Sequence, residues 1–249
     1  MTGAKKRGLS ANELKIIGAI SMTVDHAGVL LFPNVPVLRI IGRLAMPIFA
    51  WFIAEGMRRT RSPLRYFLRV FILAVACQIP YLIFERDLYF GILFTFSFSI
   101  LLMWLLRRFF EREGDDEKSR RARLLYSAAF AASAFILYLL CTRVKIDYGY
   151  FGIMLPVSAF LFRGKKSSLI AFSVTLAAMS VSYLIALSPA SAAALPGLIL
   201  NKEPQLFSLL AIPLLAFYSG ERGKLRMKYF FYIFYPAHLI VLWAISLIV

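Results

Sequence analysis

Apolar blocks about twenty residues long recur along this chain, and they limit its fold more than any other feature. The first covers residues 12–32, and similar blocks follow to the end of the sequence. About twenty apolar residues in a helix are needed to cross the hydrocarbon core of a bilayer. Of the 249 residues, 60% are hydrophobic and 17% are charged, whereas a soluble domain has roughly half and a quarter. We therefore predict an all-α, polytopic integral membrane helical bundle.

Nine apolar runs are interpreted as spans, and they leave no room for a separate soluble domain. They cover residues 12–32, 37–57, 64–84, 88–107, 122–142, 148–162, 168–187, 205–218 and 229–249. Residues 188–204 are apolar but broken by prolines, which indicates a possible interfacial or re-entrant segment and a span count of eight to ten. The charged residues 108–123 are predicted to form a solvated cytoplasmic loop. The prediction is a single transmembrane domain over residues 1–249.

The basic residues are distributed unevenly between the two sides of this topology. With a cytoplasmic N-terminus, 23 of the 29 Lys and Arg residues fall in cytoplasmic segments and four in the opposite loops. The four are Arg86, Arg143, Lys145 and Lys202. Cytoplasmic loops of membrane proteins carry such an excess. The formal net charge of +16 is therefore explained without a nucleic-acid partner, and we expect an N-in, multi-pass protein of the bacterial cytoplasmic (inner) membrane.

The two cysteines give no sign of a metal site or a disulfide framework. Cys77 and Cys141 lie inside apolar runs, and neither belongs to a Cys-x-x-Cys or Cys/His pattern. Zinc sites and disulfide-rich folds have characteristic cysteine spacings that are absent here. We expect two buried apolar thiols and no metal.

Ionisable side chains inside the spans mark the candidate site, because each costs roughly 2.5–3.5 kcal/mol at a helix centre. The first span contains Asp25 and His26, and the second contains Arg39 and Arg43. With a rise of about 1.5 Å per residue, His26 and Arg43 lie at about the same depth, in the outer third of the membrane. The short connection makes the two spans antiparallel neighbours. A His–Arg constellation is therefore expected.

A stripe of small residues runs along the first span and is typical of close helix packing. It consists of Gly18, Ser21, Asp25 and Gly28. Asp25 is predicted to face the bundle, and His26 points about 100° away from it, towards an adjacent groove. Two alternatives with a purely structural role stay open. Arg43 could pair with Asp25 to hold the helices together, and His26 could serve as a hydrogen-bonding residue between helices.

Several short motifs follow one another along the chain in an order that is specific in combination. They are Asp25-His26-x-Gly28, residues 38–49 (LRIIGRLAMPIF), Ala54-Glu55-Gly56, Gln78-Ile79-Pro80, Asp147-Tyr148-Gly149-x-x-Gly152, Gln205-Leu206-Phe207 and residues 229–239 (YFFYIFYPAHL). Together they resemble the TraX family, whose founding member is associated with N-terminal acetylation of conjugative pilin. The resemblance runs nearly from end to end.

This resemblance implies an acetyl-CoA-dependent membrane acetyltransferase. Such an enzyme moves an acetyl group from cytoplasmic acetyl-CoA to an amine or hydroxyl acceptor, which is a protein N-terminus, a glycan or a lipid head group. The family is also similar in plan to larger membrane acyltransferases that modify surface glycans, in which an intramembrane histidine is thought to be catalytic. That role is carried onto His26 alone. Arg39 and Arg43 depart from the Arg-x-x-Arg pattern of those enzymes, because they are spaced by four.

Acyl transfer needs a base for the acceptor's proton and a positive group for the developing oxyanion. The candidate catalytic residues are His26, Arg43 and Asp25. His26 is expected to act as the base, because burial disfavours its charged form and keeps it neutral. Arg43 is expected to stabilise the oxyanion with its positive charge. The candidate residues for substrate or cofactor binding are Arg39, Glu55, Gln78, Asp147, Tyr148 and His238. Among these, we expect His238 to hold the donor thioester.

Two other functions fit the same residues. In a small-molecule or ion transporter, His26, Arg43 and His238 would form a relay or an anion site, although the sequence lacks the internal repeats of many transporters. In a non-catalytic envelope or pilus assembly factor, the polar residues would only pack helices. Binding of acetyl-CoA discriminates the enzyme from both.

Overall fold

The computed structural model describes residues 8–84, 89–112, 114, 116–187, 204–224, 227 and 230–248, and these residues are almost entirely helical. The helices are α1 (Ala11–Leu30), α2 (Pro36–Gly42), α3 (Ala45–Arg59), α4 (Pro63–Phe84), α5 (Ile92–Phe110), α6 (Glu117–Arg143), α7 (Gly149–Leu161), α8 (Lys165–Leu187), a 3-10 helix (Pro204–Leu210), α9 (Ala211–Ala216) and α10 (Phe230–Ser246). Two short strands, β1 (Tyr89–Phe90) and β2 (Lys145–Ile146), pair in parallel.

The helices coincide with the predicted spans. The second span comprises α2 and α3, and the eighth comprises the 3-10 helix and α9. Within the described residues, four helical segments are long and apolar enough to cross a membrane: Pro36–Arg59, Ile92–Phe110, Glu117–Arg143 and Lys165–Ala186. The predicted all-α class is thereby confirmed, with four candidate membrane spans among the residues described. The count of nine spans and the N-in orientation stay predictions, and residues 188–203 of the proposed re-entrant segment lie outside the described part of the chain.

Large apolar side chains cover the outer faces of several helices. On α6, Leu124, Phe135 and Ile136 are each more than 60% exposed, and so are Val174 and Ile185 on α8. A soluble monomer rarely exposes contiguous apolar patches of this kind. In a bilayer these faces contact lipid tails, which supports the membrane assignment independently of helix length.

The chain divides into two compact units, Met1–Phe49 with Leu176–Val249, and Ala50–Thr175. The boundaries fall inside α3 and α8. The single transmembrane domain expected from the sequence stays a prediction.

In the second unit, Arg58 at the end of α3 forms hydrogen bonds to the end of α7 and the start of α8. Its guanidinium donates to the carbonyl oxygens of Ala159 and Phe162, the latter at 2.9 Å, at the end of α7. It also donates to the hydroxyl of Ser168 in α8 at 2.9 Å and pairs with Glu55 at 2.6 Å. The carbonyls that end a helix have no partner within it. Arg58 therefore stabilises the close approach of the α3 and α7 ends.

The two ends of α5 are bonded to the ends of two other helices in this unit. Near the end of α5, Arg107 donates to the carbonyl oxygen of Thr60, just after α3, at 2.8 Å. At the other end of α5, the hydroxyl of Thr95 donates to the carbonyl oxygen of Asp147, just before α7, at 2.7 Å. The C-terminal ends of α3, α5 and α7 therefore lie on the same side of this unit. The predicted topology requires this, because the three helices belong to spans two, four and six, which run in the same direction.

In the first unit, α1 starts at a capping box and packs antiparallel to α2. Ser10 accepts a hydrogen bond from the Glu13 amide at 3.3 Å and donates its own amide to the Glu13 carboxylate at 2.7 Å. Further along α1, the Ser21 hydroxyl donates to the carbonyl oxygen of Ile41 at 3.0 Å. A Cβ atom on Gly28 would lie 2.9 Å from Cβ of Leu38. The predicted close packing of the small-residue stripe is confirmed.

The second span is interrupted at Arg43, between α2 and α3. The Arg43 amide still bonds back to the carbonyl oxygen of Arg39, but Pro47 has no N–H to donate to the Arg43 carbonyl. Proline is tolerated in the first turn of a helix, where such donors lack partners in any case. The chain therefore ends one helix at Gly42 and begins another at Ala45, instead of continuing a single one.

Candidate functional site

A carboxylate between two guanidinium groups forms the centre of the candidate site. Asp25 on α1 accepts from Arg43 at 2.6 and 2.8 Å and from Arg39 at 2.6 Å. The exposed fractions of the side chains are 13% for Asp25, 8% for Arg43 and 33% for Arg39. Buried charges need both pairing and hydrogen bonds. The sequence predicted catalytic roles for Asp25 and Arg43 and a binding role for Arg39, and the structure brings the three side chains into direct contact.

Glycine at position 42 makes this contact possible. A Cβ atom on Gly42 would lie 2.1 Å from the nearer carboxylate oxygen of Asp25 and 2.3 Å from its Cβ. Real side chains do not approach so closely. Asp25 therefore occupies the space that any other residue at position 42 would fill, and the last turn of α2 is pressed against α1.

Gln205 is a member of the site that we did not single out from the sequence. Its amide oxygen accepts from Arg43 at 3.3 Å, and the residue is 2% exposed in the 3-10 helix. Its amide nitrogen has no hydrogen-bond partner among the described residues. The signal in the sequence was the motif Gln205-Leu206-Phe207, but nothing in one sequence links it to an arginine 162 positions earlier.

The two histidines of the chain lie in contact on a neighbouring face of α1. Nδ1 of His26 lies 3.0 Å from Nε2 of His238, with ring centroids 5.0 Å apart. Nδ1 of His238 in turn donates to the carbonyl oxygen of Phe234 at 2.9 Å. His238 is 6% exposed and His26 is half-buried. Asp25 and His26 point about 100° apart on the helix, so Asp25 faces α2 while His26 faces α10.

The depths counted from helix rise differ between the two histidines. Counted from their span boundaries, His26 lies about 21 Å from the inner face and His238 about 14 Å. That count assumes that both helices cross straight and start at the same plane. Histidine side chains reach several ångströms from the backbone, so the contact is compatible with this count, and Arg43 makes the pairing with Asp25 that the sequence left open.

The other candidate binding residues belong to the second unit. Glu55 pairs with Arg58 and Arg59 at 2.6 and 3.1 Å, and the Gln78 amide donates to the carbonyl oxygen of Tyr89 at 2.7 Å. The Asp147 amide donates to the carbonyl oxygen of Phe90 at 2.8 Å. Tyr148 has a left-handed backbone with φ of 60° directly before α7. Their predicted binding roles stay predictions. No group of three or more metal-ligating side chains occurs among the described residues.

A family model described as TraX protein matches residues 10–246. The chain belongs to the TraX family. The TraX match includes every candidate site residue from Asp25 to His238, and it also includes Gln205. The family resemblance given by the motifs is therefore confirmed over nearly the whole chain.

Two relatives of this TraX chain are informative to different degrees. The probable fimbrial assembly protein FimC, serogroup H1, of Dichelobacter nodosus is 29% identical over 252 residues, which cover 94% of each chain. An uncharacterized protein of Rickettsia prowazekii is 51% identical over 39 residues, which are 16% of each chain. No solved structure gives a significant match.

Proposed function

We propose that this chain is an integral-membrane acetyltransferase of the bacterial cytoplasmic membrane. It transfers the acetyl group of cytoplasmic acetyl-CoA to an amine or hydroxyl on a protein N-terminus, a glycan or a lipid head group. The observation that carries the proposal is the contact between His26 and His238, next to the cluster in which Asp25 of α1 binds Arg39 and Arg43. A base and a positive group are the two requirements of acyl transfer.

The reaction proceeds by attack of the acceptor on the thioester. The nitrogen or oxygen of the acceptor forms a bond to the carbonyl carbon of acetyl-CoA, and its proton passes to a ring nitrogen of His26. The carbonyl oxygen becomes an oxyanion in the tetrahedral intermediate. When the carbon–sulfur bond breaks, the oxyanion returns to a carbonyl and the CoA thiolate takes the proton from His26. The products are the acetylated acceptor and CoA with a free thiol.

The arginine cluster supplies the positive charge for this intermediate. Asp25, Arg39 and Arg43 contain two guanidinium groups and a single carboxylate. Arg43 is buried and holds Asp25 and Gln205, whereas a third of the Arg39 side chain is exposed. In water-poor surroundings a fixed positive charge stabilises an oxyanion far better than it does in water. Arg39 is therefore the member of the cluster that is accessible to a ligand.

Purified protein with radiolabelled acetyl-CoA tests the proposal directly. The acceptor of first choice is a peptide with the free amino terminus of a pilus subunit, because the FimC relative is named for fimbrial assembly. We expect label on the peptide and release of CoA. We expect His26→Ala to lower the rate about 100- to 10,000-fold, the usual contribution of a general base.

Thr23→Ala is the matched control for that variant. Thr23 lies one turn earlier on α1, and its hydroxyl only bonds back to the Ala19 carbonyl at 3.0 Å. Its substitution should leave transfer within about twofold of the original rate. Helical content and thermal midpoint of each variant show that the fold is intact, and His26→Gln provides a second, more conservative substitution. Full activity in folded His26→Ala would remove His26 from the mechanism.

A non-catalytic assembly factor is the second candidate, favoured by the name of the FimC relative as a probable fimbrial assembly protein. In that case the buried charges and the histidine pair only hold helices together. The protein would then bind no acetyl-CoA, and pilus assembly in cells would survive His26→Gln. Absence of acetyl-CoA binding to the folded protein would favour this candidate over the enzyme.

A further inference from the structure

His238 holds both of its ring nitrogens in hydrogen bonds inside the protein. Nδ1 bonds to the Phe234 carbonyl oxygen at 2.9 Å, and Nε2 lies 3.0 Å from Nδ1 of His26. The ring is stacked on that of Phe234, with centroids 5.1 Å apart and planes 10° apart. We expected from the sequence that His238 would hold the donor thioester. With both nitrogens bonded within the protein, it has neither available for that role.

The partners determine which ring nitrogens carry hydrogen. A carbonyl oxygen only accepts, so Nδ1 of His238 is the donor to Phe234. In a neutral imidazole the other nitrogen is then an acceptor. Nδ1 of His26 must therefore carry the hydrogen between the two rings. Nε2 of His26 is left with its lone pair, and it has no hydrogen-bond partner among the described residues.

We propose that His238 is a positioning residue that fixes His26 in the Nδ1–H tautomer, so that Nε2 of His26 is the nitrogen that takes the acceptor's proton. The identity of that proton rests on the proposed function, whereas the tautomer does not. When Nε2 accepts the proton, Nδ1 of His26 continues to donate to His238, and the hydrogen bond becomes charge-assisted and stronger. The proton later leaves from the same Nε2 to the CoA thiolate, so His238 is unchanged at the end of the reaction.

The tautomer is measurable because the sequence contains only two histidines. The protein is produced with ¹⁵N-labelled histidine and without a histidine tag, and its imidazole nitrogens are observed by NMR in detergent at alkaline pH. We expect both histidines to show a protonated Nδ1 and an unprotonated Nε2. A His26 ring with its hydrogen on Nε2 would overturn the proposal, and this measurement needs neither acetyl-CoA nor a variant.

Two substitutions at position 238 then test whether His238 is the cause. In His238→Leu the acceptor is lost, and His26 is the sole histidine, so we expect its hydrogen to move to Nε2. In His238→Gln the side-chain oxygen replaces the acceptor, and we expect the Nδ1–H tautomer to be retained. Retention of Nδ1–H in the folded leucine variant would also overturn the proposal.

The kinetic constants of the two His238 variants distinguish a positioning role of His238 from a purely structural one. We expect His238→Leu to lower kcat about 100-fold or more while the KM for acetyl-CoA stays within about twofold, and His238→Gln to keep most of kcat. A purely structural role would instead reduce thermal stability and both kinetic constants, without the difference between leucine and glutamine. If no preparation transfers acetyl groups although the NMR result is as expected, the proposed function fails and the tautomer assignment stands.

Discussion

Asp25 accepts hydrogen bonds from two arginines. Substitution of Asp25 should therefore lower the free energy of unfolding more than substitution of Arg39 does. Breaking a buried ion pair from one side leaves an uncompensated charge, which typically costs about 3–5 kcal/mol. Asp25→Asn leaves Arg43 in that state, since the Arg43 side chain is 8% exposed. We expect a loss of about that size in the free energy of unfolding, measured by denaturation with SDS in mixed micelles.

Arg39→Gln is the comparison for that variant. The Arg39 side chain is 33% exposed and reaches the same carboxylate at 2.6 Å. Its loss should cost less, because a more exposed cation is partly solvated and Asp25 retains Arg43. A combined Asp25→Asn and Arg43→Gln variant should recover part of the stability of Asp25→Asn alone. Equal losses for Arg39→Gln and Asp25→Asn would contradict the burial order seen here.

The sequence predicted part of this site and missed the rest for an identifiable reason. A short connection joins the spans of Asp25 and Arg43, so helix adjacency was enough to predict contact between the two spans and to leave the Asp25–Arg43 pairing open. His26 and His238 are 212 positions apart, and Gln205 is 162 positions from Arg43. Contacts over such separations depend on how whole helices pack. One sequence without relatives contains no signal for that packing.

At the scale of the element, Gly42 controls the spacing between α1 and α2. In Gly42→Ala the added Cβ would overlap Asp25, so the helices must separate or the carboxylate must move. Overpacking of this kind costs about 1–3 kcal/mol. We expect a matching drop in the free energy of unfolding, together with lower acetyl transfer. Gly91→Ala is the control, because a Cβ atom there meets no atom of the described residues within 4 Å.

Arg58 and Arg59 provide a second matched pair, at the end of α3. Arg58 bonds to the end of α7 and to α8, whereas the Arg59 side chain is 52% exposed and pairs with Glu55. A hydrogen bond to a charged group contributes about 1.5–3 kcal/mol, and the bonds of Arg58 to α7 and α8 share one nitrogen of a side chain that is 24% exposed, so they count as about one such bond. We expect Arg58→Ala to lower the free energy of unfolding by about 2–3 kcal/mol and Arg59→Ala by less than about 1 kcal/mol. A reversed order in thermal melts would contradict the anchoring role of Arg58.

The helices themselves were predictable because apolar length is a strong signal. The runs at 122–142 and 168–187 correspond closely to α6 and α8. The sequence predicts one continuous span over residues 37–57, and the interruption at Arg43 is the difference that the structure shows. Its cause is local, a missing N–H at Pro47, but its position also depends on the contact between Gly42 and Asp25.

For the whole molecule, the orientation in the membrane is the prediction most open to direct measurement. In a background with Cys77 and Cys141 replaced by alanine, single cysteines are introduced as Lys118→Cys and Lys145→Cys. Both positions are exposed, at opposite ends of α6. In intact spheroplasts, a membrane-impermeant maleimide should label position 145 and not 118. In inverted vesicles the pattern should reverse, and labelling of position 118 in spheroplasts would refute the N-in orientation.

The break between α2 and α3 also has a consequence for amide hydrogen exchange. The amides of Arg43 and Leu44 lie between the two helices, in the middle of a long apolar segment, and their hydrogen bonds to the carbonyl oxygens of Arg39 and Ile41 are long, at 3.2 and 3.3 Å. In a continuous transmembrane helix such amides would be among the last to take up deuterium. Here a deuteration map should show a gap in protection beside the arginine cluster, provided that water reaches the cluster. Fast uptake at these two positions would therefore reveal how far the aqueous phase penetrates towards Asp25.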